Sequence, residues 1–429
     1  MSFDFSVALS AILVLTLFGA PIAIALISGS ILYLLVSGQD IGIAAQQVVG
    51  GLYDSYVAIA VPLFIFAAKV MNSGSITSRL LNFALNLVGH FRGGLAQVNI
   101  VTSVIFSGMS GSAVADTAGV GHVVTEMMQK DGRYPKGFAC AVTVSSATIG
   151  PIIPPSIPMI FYALVSGSSL GALFLGGILP GLLIAGVLMI LCAVISRRRG
   201  FPTEERVTDA ARRAVLIGGI LPLMMPVILL SGIYTGIFTP TEAAAVSGAY
   251  ALLLSVVVYR DLGFRELYTL LVATARDTGV ISILIGSAFL FNYVVSVERI
   301  PFALAGALQD VDLSRTMLLL IMNAVFLLLG CFLATSTIML VCVPIVLPTV
   351  LAAGVDPVHF GVVIVINMMI GLITPPYGVL LFVIGGLTRT RVGEIVSELW
   401  VFIAVLIVAL LIVTFVPGLV LWIPSMAGF

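Results

Sequence analysis

Charged residues are scarce in this chain of 429 residues: 9% are Asp, Glu, Lys or Arg, whereas 60% are hydrophobic. Soluble domains carry about 25% charged and about 45–50% apolar residues, so the composition excludes a water-soluble globule. It also excludes a disordered chain, which needs low hydrophobicity. The 19 basic residues balance 19 acidic ones, so the chain lacks the basic excess of a nucleic-acid-binding protein.

Metal-binding and nucleotide-binding patterns are equally sparse. The four cysteines (Cys140, Cys192, Cys331 and Cys342) lie in apolar runs without Cys-x-x-Cys spacing, and we interpret them as small buried hydrophobic residues. The sequence contains no Gly-x-x-x-x-Gly-Lys-Ser/Thr motif, which is the pattern that cradles ATP phosphates. We therefore expect no use of ATP.

Long uncharged runs indicate the structural class. Gly137–Ser196, Thr316–Val355 and Leu399–Phe429 contain no Asp, Glu, Lys or Arg. A membrane-crossing helix needs about 20 apolar residues, whereas a β-barrel shows short alternating segments. The sequence thus predicts an all-α polytopic membrane protein that lies in a lipid bilayer. We read the N-terminus, which lacks a basic n-region, as the start of a retained helix.

Uncharged runs that are separated by Pro/Gly breaks and charged loops predict about ten crossings. The approximate spans are Phe5–Phe18, Pro21–Val36, Ser55–Met71, Gly137–Ser166, Leu170–Ile195, Ala214–Ser231, Glu242–Val258, Thr278–Val297, Phe360–Leu387 and Ile395–Trp422. Residues 93–128 and 316–350 are apolar but are interrupted midway by small and polar residues, and we interpret them as re-entrant helical hairpins. With Arg197–Arg199 in the cytoplasm, all basic residues but Arg299 and Arg315 then lie on the cytoplasmic face, as the positive-inside rule requires. Both termini are predicted to be periplasmic.

The two halves of the sequence resemble each other at an offset of about 222 residues. Gly150–Pro155 aligns with Gly371–Pro376, and Asp54-Ser55 aligns with Asp277-Thr278. Five crossings per half would turn the second copy upside down, and inverted repeats with broken helices are typical of secondary transporters. The predicted organisation is a first repeat (1–196, with a broken helix at 137–166), a cytoplasmic linker (197–213), and a second repeat (214–429, with a broken helix at 360–387).

The interruptions are the predicted transport site. Proline pairs leave backbone carbonyls free, and non-helical backbone within a membrane is tolerated where it is buried or lines a cavity. Carbonyl and hydroxyl oxygens suit a hard cation such as Na⁺. The candidate ion and substrate pathway residues are Ser107, Ser110, Gly111, Ser112, Asp116, Ser145, Ser146, Pro154, Pro155 and Ser156 in the first half, and Gly330, Thr335, Ser336, Thr337, Asn367, Thr374, Pro375 and Pro376 in the second. Close packing of small residues is the structural alternative.

Three charged side chains need separate interpretation. Asp116 lies in an apolar stretch beyond Ser112 and could bind an ion, contact substrate indirectly or cap the turn. Glu242 completes a capping box, Thr239-Pro240-Thr241-Glu242, so its pattern mainly indicates helix initiation. Lys69, near a predicted cytoplasmic helix end, is expected to snorkel to the interface.

One pattern suggests an enzyme. Gly108-Met109-Ser110-Gly111 matches the Gly-x-Ser-Gly of intramembrane serine proteases, with His122 as the candidate base. No orienting or oxyanion partner is evident in the sequence, and the inverted repeat does not need this chemistry. An intramembrane serine hydrolase is kept as a remote alternative.

Four stretches, Ser107–Asp116, Gly150–Ser156, Phe238–Ala244 and Gly371–Gly378, resemble the large membrane subunit (DctM-like) of tripartite ATP-independent periplasmic (TRAP) transporters. The resemblance covers essentially the whole chain. It implies sodium-coupled uptake of an organic acid, either sialic acid or a C4-dicarboxylate. It also implies a periplasmic substrate-binding protein and a separate small membrane subunit as partners, a bacterial inner-membrane location and elevator-like movement.

The resemblance also suggests where the ions bind. The predicted Na⁺ ligands are Ser110, Ser112 and Ser156 in the first half and Thr337 and Thr374 in the second. The second hairpin departs from the Ser/Gly-rich pattern of the first, because Gly330-Cys331-Phe332-Leu333 is more apolar. A stand-alone sodium/carboxylate symporter or ion antiporter of similar architecture is the main alternative.

Overall fold

The chain is helical throughout the parts that the computed structural model describes, which are residues 2–53, 56–204, 209–309 and 314–429. The first helices are α1 (Phe3–Leu17), α2 (Ile22–Val36), α3 (Gly42–Tyr53), α4 (Tyr56–Met71), α5 (Ile76–Val88), α6 (Gly94–Ser110), α7 (Ala113–Asp116), α8 (His122–Gln129), α9 (Lys136–Ala147), α10 (Ile157–Ser166) and α11 (Leu170–Arg199). The remaining helices are α12 (Asp209–Tyr234), α13 (Pro240–Leu252), α14 (Phe264–Val297), α15 (Ile300–Gln309), α16 (Arg315–Gly330), α17 (Thr335–Thr337), α18 (Val343–Ala352), α19 (Pro357–Gly371), α20 (Val379–Thr388), α21 (Val392–Phe415) and α22 (Gly418–Met426). Short π-helical turns occupy Thr117–Gly121, Leu253–Val258 and Ile338–Cys342, and a 3₁₀ turn occupies Lys130–Gly132.

Several helices have the length and apolar composition of membrane spans. In the described ranges, five segments qualify on their own: Leu170–Arg199, Pro240–Val258, Phe264–Val297, Thr335–Ala352 and Val392–Phe415. The bent pair α3 and α4, which meet at 61°, raises the number to six. Other apolar helices are 10–17 residues long. The chain is therefore a multi-pass membrane protein, and the ten-crossing layout stays a prediction.

Two turns between helices and two helix interruptions come from local sequence chemistry. We name the first tip (Gly111-Ser112, between α6 and α7), the second tip (331–334, between α16 and α17), the first break (148–156) and the second break (372–378). Gly111 ends α6 in the left-handed region at φ 61°, which glycine adopts without a Cβ penalty. Serine side chains then start the next helices, because the hydroxyls of Ser112 and Ser156 accept N–H groups of α7 and α10.

Corresponding elements recur 221 or 222 residues later in the chain. Helices α9 and α10, on either side of the first break, correspond to α19 and α20, and the long helix α11 corresponds to α21. The π-helical turn after the first tip has its counterpart after the second. Both Pro–Pro peptide bonds, Pro154-Pro155 and Pro375-Pro376, are cis. Asp54-Ser55 and part of the predicted linker, 205–208, lie outside the described residues.

The structure corrects three sequence predictions. The predicted crossing Thr278–Val297 is not separate from the residues before it, because Phe264–Val297 forms one continuous helix, α14, of 34 residues. The predicted last crossing, Ile395–Trp422, is divided, because α21 ends at Phe415 and α22 begins at Gly418. Pro417 disfavours helical geometry at Val416, whose φ and ψ are −119° and 76°. Two short helices that the prediction lacked, α5 and α15, precede the hairpins.

Three apolar cores organise the described helices, and one of them joins α4, α5, α6, α12 and α13 around Met71, Phe106 and Met225. The largest unites α6 with α9, α10, α11, α19 and α21, and it buries Phe138, Phe360 and Phe402. The third core joins α1, α2, α3 and the C-terminal part of α14 around Phe5, Leu34 and Phe291. Because the largest core includes residues from both halves, the elements on either side of each break are held together by shared packing.

Candidate functional site

The first tip lies directly against the first break. Gly111 approaches so closely that a Cβ atom on it would lie 2.4 Å from the carbonyl oxygen of Pro155. A Cβ on Gly150 would in turn lie 3.6 Å from the carbonyl carbon of Ser112. The contact brings together predicted residues from two parts of the chain, and Gly111 permits it because it has no side chain.

Hydroxyl and carbonyl oxygens are concentrated at this contact. The Ser110 hydroxyl accepts the Ser112 N–H at 3.3 Å, and the Ser112 hydroxyl accepts the Ala115 N–H at 3.3 Å. The Ser156 hydroxyl donates to the carbonyl of Pro151 and accepts the Met159 N–H. All of these oxygens are neutral and hard, as a site for an alkali cation requires.

The helix ends beside the second tip and the second break, Gly330 of α16 and Gly371 of α19, meet in a similar way. Gly330 and Gly371 touch backbone to backbone, since a Cβ on Gly371 would lie 2.6 Å from the carbonyl carbon of Gly330. The Thr374 hydroxyl donates to the carbonyl of Ile370, and Thr337 is buried at the start of the following π-helical turn. Pro376 is exposed, whereas Pro155 is buried. The second site is therefore more open than the first.

A cavity of about 260 Å³ lies where the two halves meet. Its lining includes the first tip (Gly111 and Ser112), residues just beyond the second tip (Thr335 and Ser336) and the second break (Leu372). The N-terminal ends of α10 and α20 also border it, through Ile157, Pro158 and Val379. Both tips and both half-helix N-termini thus face the same space.

Three of the predicted site residues of the first half lie away from the tips. Ser107 is inside α6 and donates to the carbonyl of Val104. Ser146 bonds to the hydroxyl of Ser103 and the amide oxygen of Asn99 on α6. Ser145 is buried, and its hydroxyl has no hydrogen-bond partner among the described residues. These three side chains lie between the hairpin and α9 and do not line the tip cavity.

Asn367 occupies a matching position in the second half. Its Nδ2 donates to Oδ1 of Asn323 on α16 at 2.9 Å, and Asn323 in turn donates to the hydroxyl of Thr414 at 2.9 Å. All three side chains are buried. This polar chain joins α16 to α19 and α21, and Asn367 lies one helical turn before Gly371, which contacts Gly330.

Asp116 is the buried carboxylate of the first hairpin. It ends α7 with 1% of its surface exposed. Neither of its carboxylate oxygens accepts a hydrogen bond of ordinary length from the described residues, although the side chain of Ser103 lies near enough to interact with it. An unpaired buried carboxylate is costly, so the position favours binding of a cation or a proton over simple capping of the turn.

Sequence reasoning missed a second cavity of about 370 Å³ on the other side of the first tip. Ser112 and Ile157 line both cavities. Lys69, which was expected to snorkel, instead forms an ion pair with Asp277, with Nζ 2.7 Å from Oδ2, and both side chains line this cavity. The pair joins α4 to α14, and no local sequence pattern connects the two residues.

Two other sequence interpretations concern Glu242 and His122. Thr239 and Glu242 form the capping box at the start of α13, which agrees with a role in helix initiation. His122, the candidate catalytic base, lies 3.6 Å from the carboxylate of Glu126, whereas the Ser110 hydroxyl contacts Ser112. The pairing required for a serine hydrolase is not formed by these described residues.

Comparison with known proteins identifies the family. The model of the tripartite ATP-independent periplasmic transporter DctM component matches residues 9–419. The chain belongs to the DctM family. It is 41% identical over 378 residues to the sialic acid TRAP transporter large permease protein SiaM of Vibrio cholerae, covering 88% of this chain and 87% of that protein.

A further relative agrees with this assignment, and one solved structure shares the fold. The C4-dicarboxylate TRAP transporter large permease protein DctM of Pseudomonas aeruginosa is 37% identical over 375 residues, covering 87% of this chain and 88% of that protein. The crystal structure of the YdaH transporter of Alcanivorax borkumensis has a TM-score of 0.63 at 15% identity, covering 86% of this chain and 87% of that one. The protein is therefore a TRAP large permease, which confirms the prediction of a transporter subunit and not an enzyme.

Proposed function

We propose that this permease carries out sodium-coupled uptake of an organic acid, either sialic acid or a C4-dicarboxylate, delivered by a periplasmic substrate-binding protein. The cavity between the two tips carries the proposal, because both halves contribute a tip and a helix break to the same space. A small TRAP membrane subunit is the proposed membrane partner. The proposed location is the bacterial inner membrane, with both termini in the periplasm.

The proposed architecture is an inverted repeat, with residues 1–196 and 214–429 as its copies and 93–128 and 316–350 as re-entrant hairpins. The regular offset between α9 and α19, and between α11 and α21, supports two copies of one unit. The separate core around Phe5, Leu34 and Phe291 supports an elevator-type division into a scaffold and a moving part. Inverted repeats of this kind place the binding site near the middle of the bilayer.

The proposed Na⁺ sites use the C-terminal ends of the interrupted helices. In the first half, Ser110 ends α6 and the carbonyls of the first break approach the tip, with Ser112 and Ser156 adding hydroxyls. In the second half, Thr374 and Thr337 supply hydroxyl oxygens beside the contact between Gly330 and Gly371. Helix C-terminal ends carry partial negative charge, which favours a bound cation.

The proposed substrate site uses the opposite helix ends. The N-termini of α10 and α20 border the cavity between the tips, and partial positive charge there favours a carboxylate. Sodium bound at the tips would offset the charge of the substrate, so each ligand would raise the affinity for the other by the same factor. This mutual effect couples the organic acid to the sodium gradient.

Uptake into proteoliposomes tests the proposal. The permease and its small subunit are reconstituted together, and labelled N-acetylneuraminate or succinate is supplied with the purified binding protein. We expect uptake that requires the binding protein, the small subunit and an inward Na⁺ gradient together. Uptake by the permease alone, without the binding protein, would overturn the tripartite mechanism in favour of a stand-alone symporter. Uptake driven equally by a K⁺ gradient would overturn sodium coupling.

A further inference from the structure

The ion pair between Lys69 and Asp277 lies in the wall of the 370 Å³ cavity beside the first tip. Lys69 is the one cation among the described residues that line this cavity, and Asp277 is the one anion. Most of the other lining side chains are apolar, and the polar ones include Ser110 and Ser112. A cavity of a few hundred Å³ with few, converging polar groups is typical of a small-molecule site.

The two members of the pair differ in exposure. The Lys69 side chain is 26% exposed, and that of Asp277 is 51% exposed. If the pair opens, Asp277 can be hydrated in place, whereas the ammonium of Lys69 stays in a largely apolar wall. An ammonium has three N–H donors, and Asp277 accepts at one position, so further acceptors can bind while the charge stays compensated.

We propose that the ammonium group of Lys69 binds a carboxylate of the organic acid. Asp277 pairs with this ammonium group until the substrate carboxylate replaces it. The inference rests on the proposed function and adds to it a specific anion-binding side chain. Exchange of one carboxylate for another leaves the lysine charge paired throughout, so the step avoids an isolated charge in the cavity.

The location of Lys69 also explains how an anion site can lie beside a cation site. Ser110 and Ser112, two proposed Na⁺ ligands, line the same cavity as Lys69. Ser112 and Ile157 are shared with the cavity between the tips. An organic acid held by Lys69 would therefore reach the first tip, where bound Na⁺ and the N-terminus of α10 attract its negative charge.

Four variants separate anion binding from a structural ion pair: Lys69→Met, Lys69→Arg, Asp277→Asn and the double variant Lys69→Met/Asp277→Asn. The probes are N-acetylneuraminate and succinate, taken up by reconstituted permease with its small subunit and binding protein at saturating Na⁺. We expect Lys69→Met to raise the half-saturating concentration about tenfold, as loss of a charged hydrogen bond predicts. Lys69→Arg should stay within about threefold of the wild type, because the positive charge remains.

The aspartate variants decide the interpretation. Asp277→Asn removes the competing carboxylate and is expected to lower the half-saturating concentration by up to about fivefold, the range of a partly exposed pair. The double variant should be as impaired as Lys69→Met, although it leaves no unpaired charge. Arg199→Met is the matched control. It breaks the ion pair between Arg199 and Glu398, whose N–O distance is 2.8 Å and whose residues line neither cavity, so its uptake should resemble that of the wild type.

A structural role predicts the opposite pattern. Asp277→Asn would then be as harmful as Lys69→Met, and the double variant would recover wild-type uptake, because removing both charges is often nearly neutral. That result would overturn the inference and leave the proposed function intact. If the wild-type permease takes up neither probe under a Na⁺ gradient, the proposed function is overturned, and the inference with it.

Discussion

The contact between the first tip and the first break gives the sharpest mutational prediction. In Gly111→Ala, the new Cβ would lie 2.4 Å from the carbonyl oxygen of Pro155, whereas ordinary contacts are 3.4–4 Å. Since the neighbour is backbone, the tip must move by about 1 Å, and overpacking of this kind costs about 1–3 kcal/mol. The positive φ of 61° adds about 1 kcal/mol for a residue with a Cβ.

A displacement of that size moves the proposed sodium ligands away from one another. A loss of about 1.4 kcal/mol in ion binding corresponds to a tenfold change in affinity. We therefore expect Gly111→Ala to raise the Na⁺ concentration for half-maximal uptake at least about tenfold, as measured in proteoliposomes at saturating substrate.

Gly167→Ala is the matched control. Gly167 has a similar positive φ of 67° at the end of α10, and a Cβ there would meet nothing within 4 Å. This variant bears the same backbone penalty without the contact, so its Na⁺ dependence should equal that of the wild type while its thermal stability falls slightly. Wild-type Na⁺ dependence in Gly111→Ala would refute the proposed role of the first tip and break in sodium binding.

Three further experiments, one of them with a paired control variant, extend the test. Gly371→Ala forces a Cβ to within 2.6 Å of Gly330 and should abolish most uptake, whereas Gly386→Ala, with nothing within 4 Å, should leave uptake unchanged; equal uptake by the two variants would contradict a role for the second contact. Asp116→Asn should impair uptake but not co-purification with the small subunit, and normal uptake would assign Asp116 a structural role. Asn367→Leu leaves Asn323 without its amide partner and should lower the free energy of unfolding by about 1–3 kcal/mol; an unchanged thermal denaturation midpoint would contradict this.

The composition of the sequence was sufficient to predict the class of the protein, and its glycine, serine and proline clusters were sufficient to predict the positions of the helix interruptions. Scarce charge and long apolar runs indicated a helical membrane protein, because the bilayer leaves few other options for satisfying the backbone. Glycines and serines at 107–112, and proline pairs at 154–155 and 375–376, lie at or beside the places where the helices stop. These residues act locally, so the sequence reveals their effect directly.

Long-range contacts could not be predicted in the same way. Lys69 and Asp277 come from helices far apart in the sequence, and nothing near either residue identifies its partner. The prediction that a crossing begins after Asp277 was also wrong, because α14 continues through this residue. A charged residue indicates where a chain can meet water, but it does not end a helix. The reverse error occurred at Pro417, where an uninterrupted apolar run concealed a break between α21 and α22.

Hydrogen exchange of the purified permease with its small subunit, compared in NaCl and in choline chloride, tests the proposed location of the sodium sites most directly. Sodium should slow amide exchange in four segments: 107–116 and 148–156 in the first half, and 330–337 and 372–378 in the second. Ligand binding protects the backbone that it orders, so protection confined to these segments is the predicted result. Sodium-dependent protection elsewhere, with no change at the tips and breaks, would contradict it.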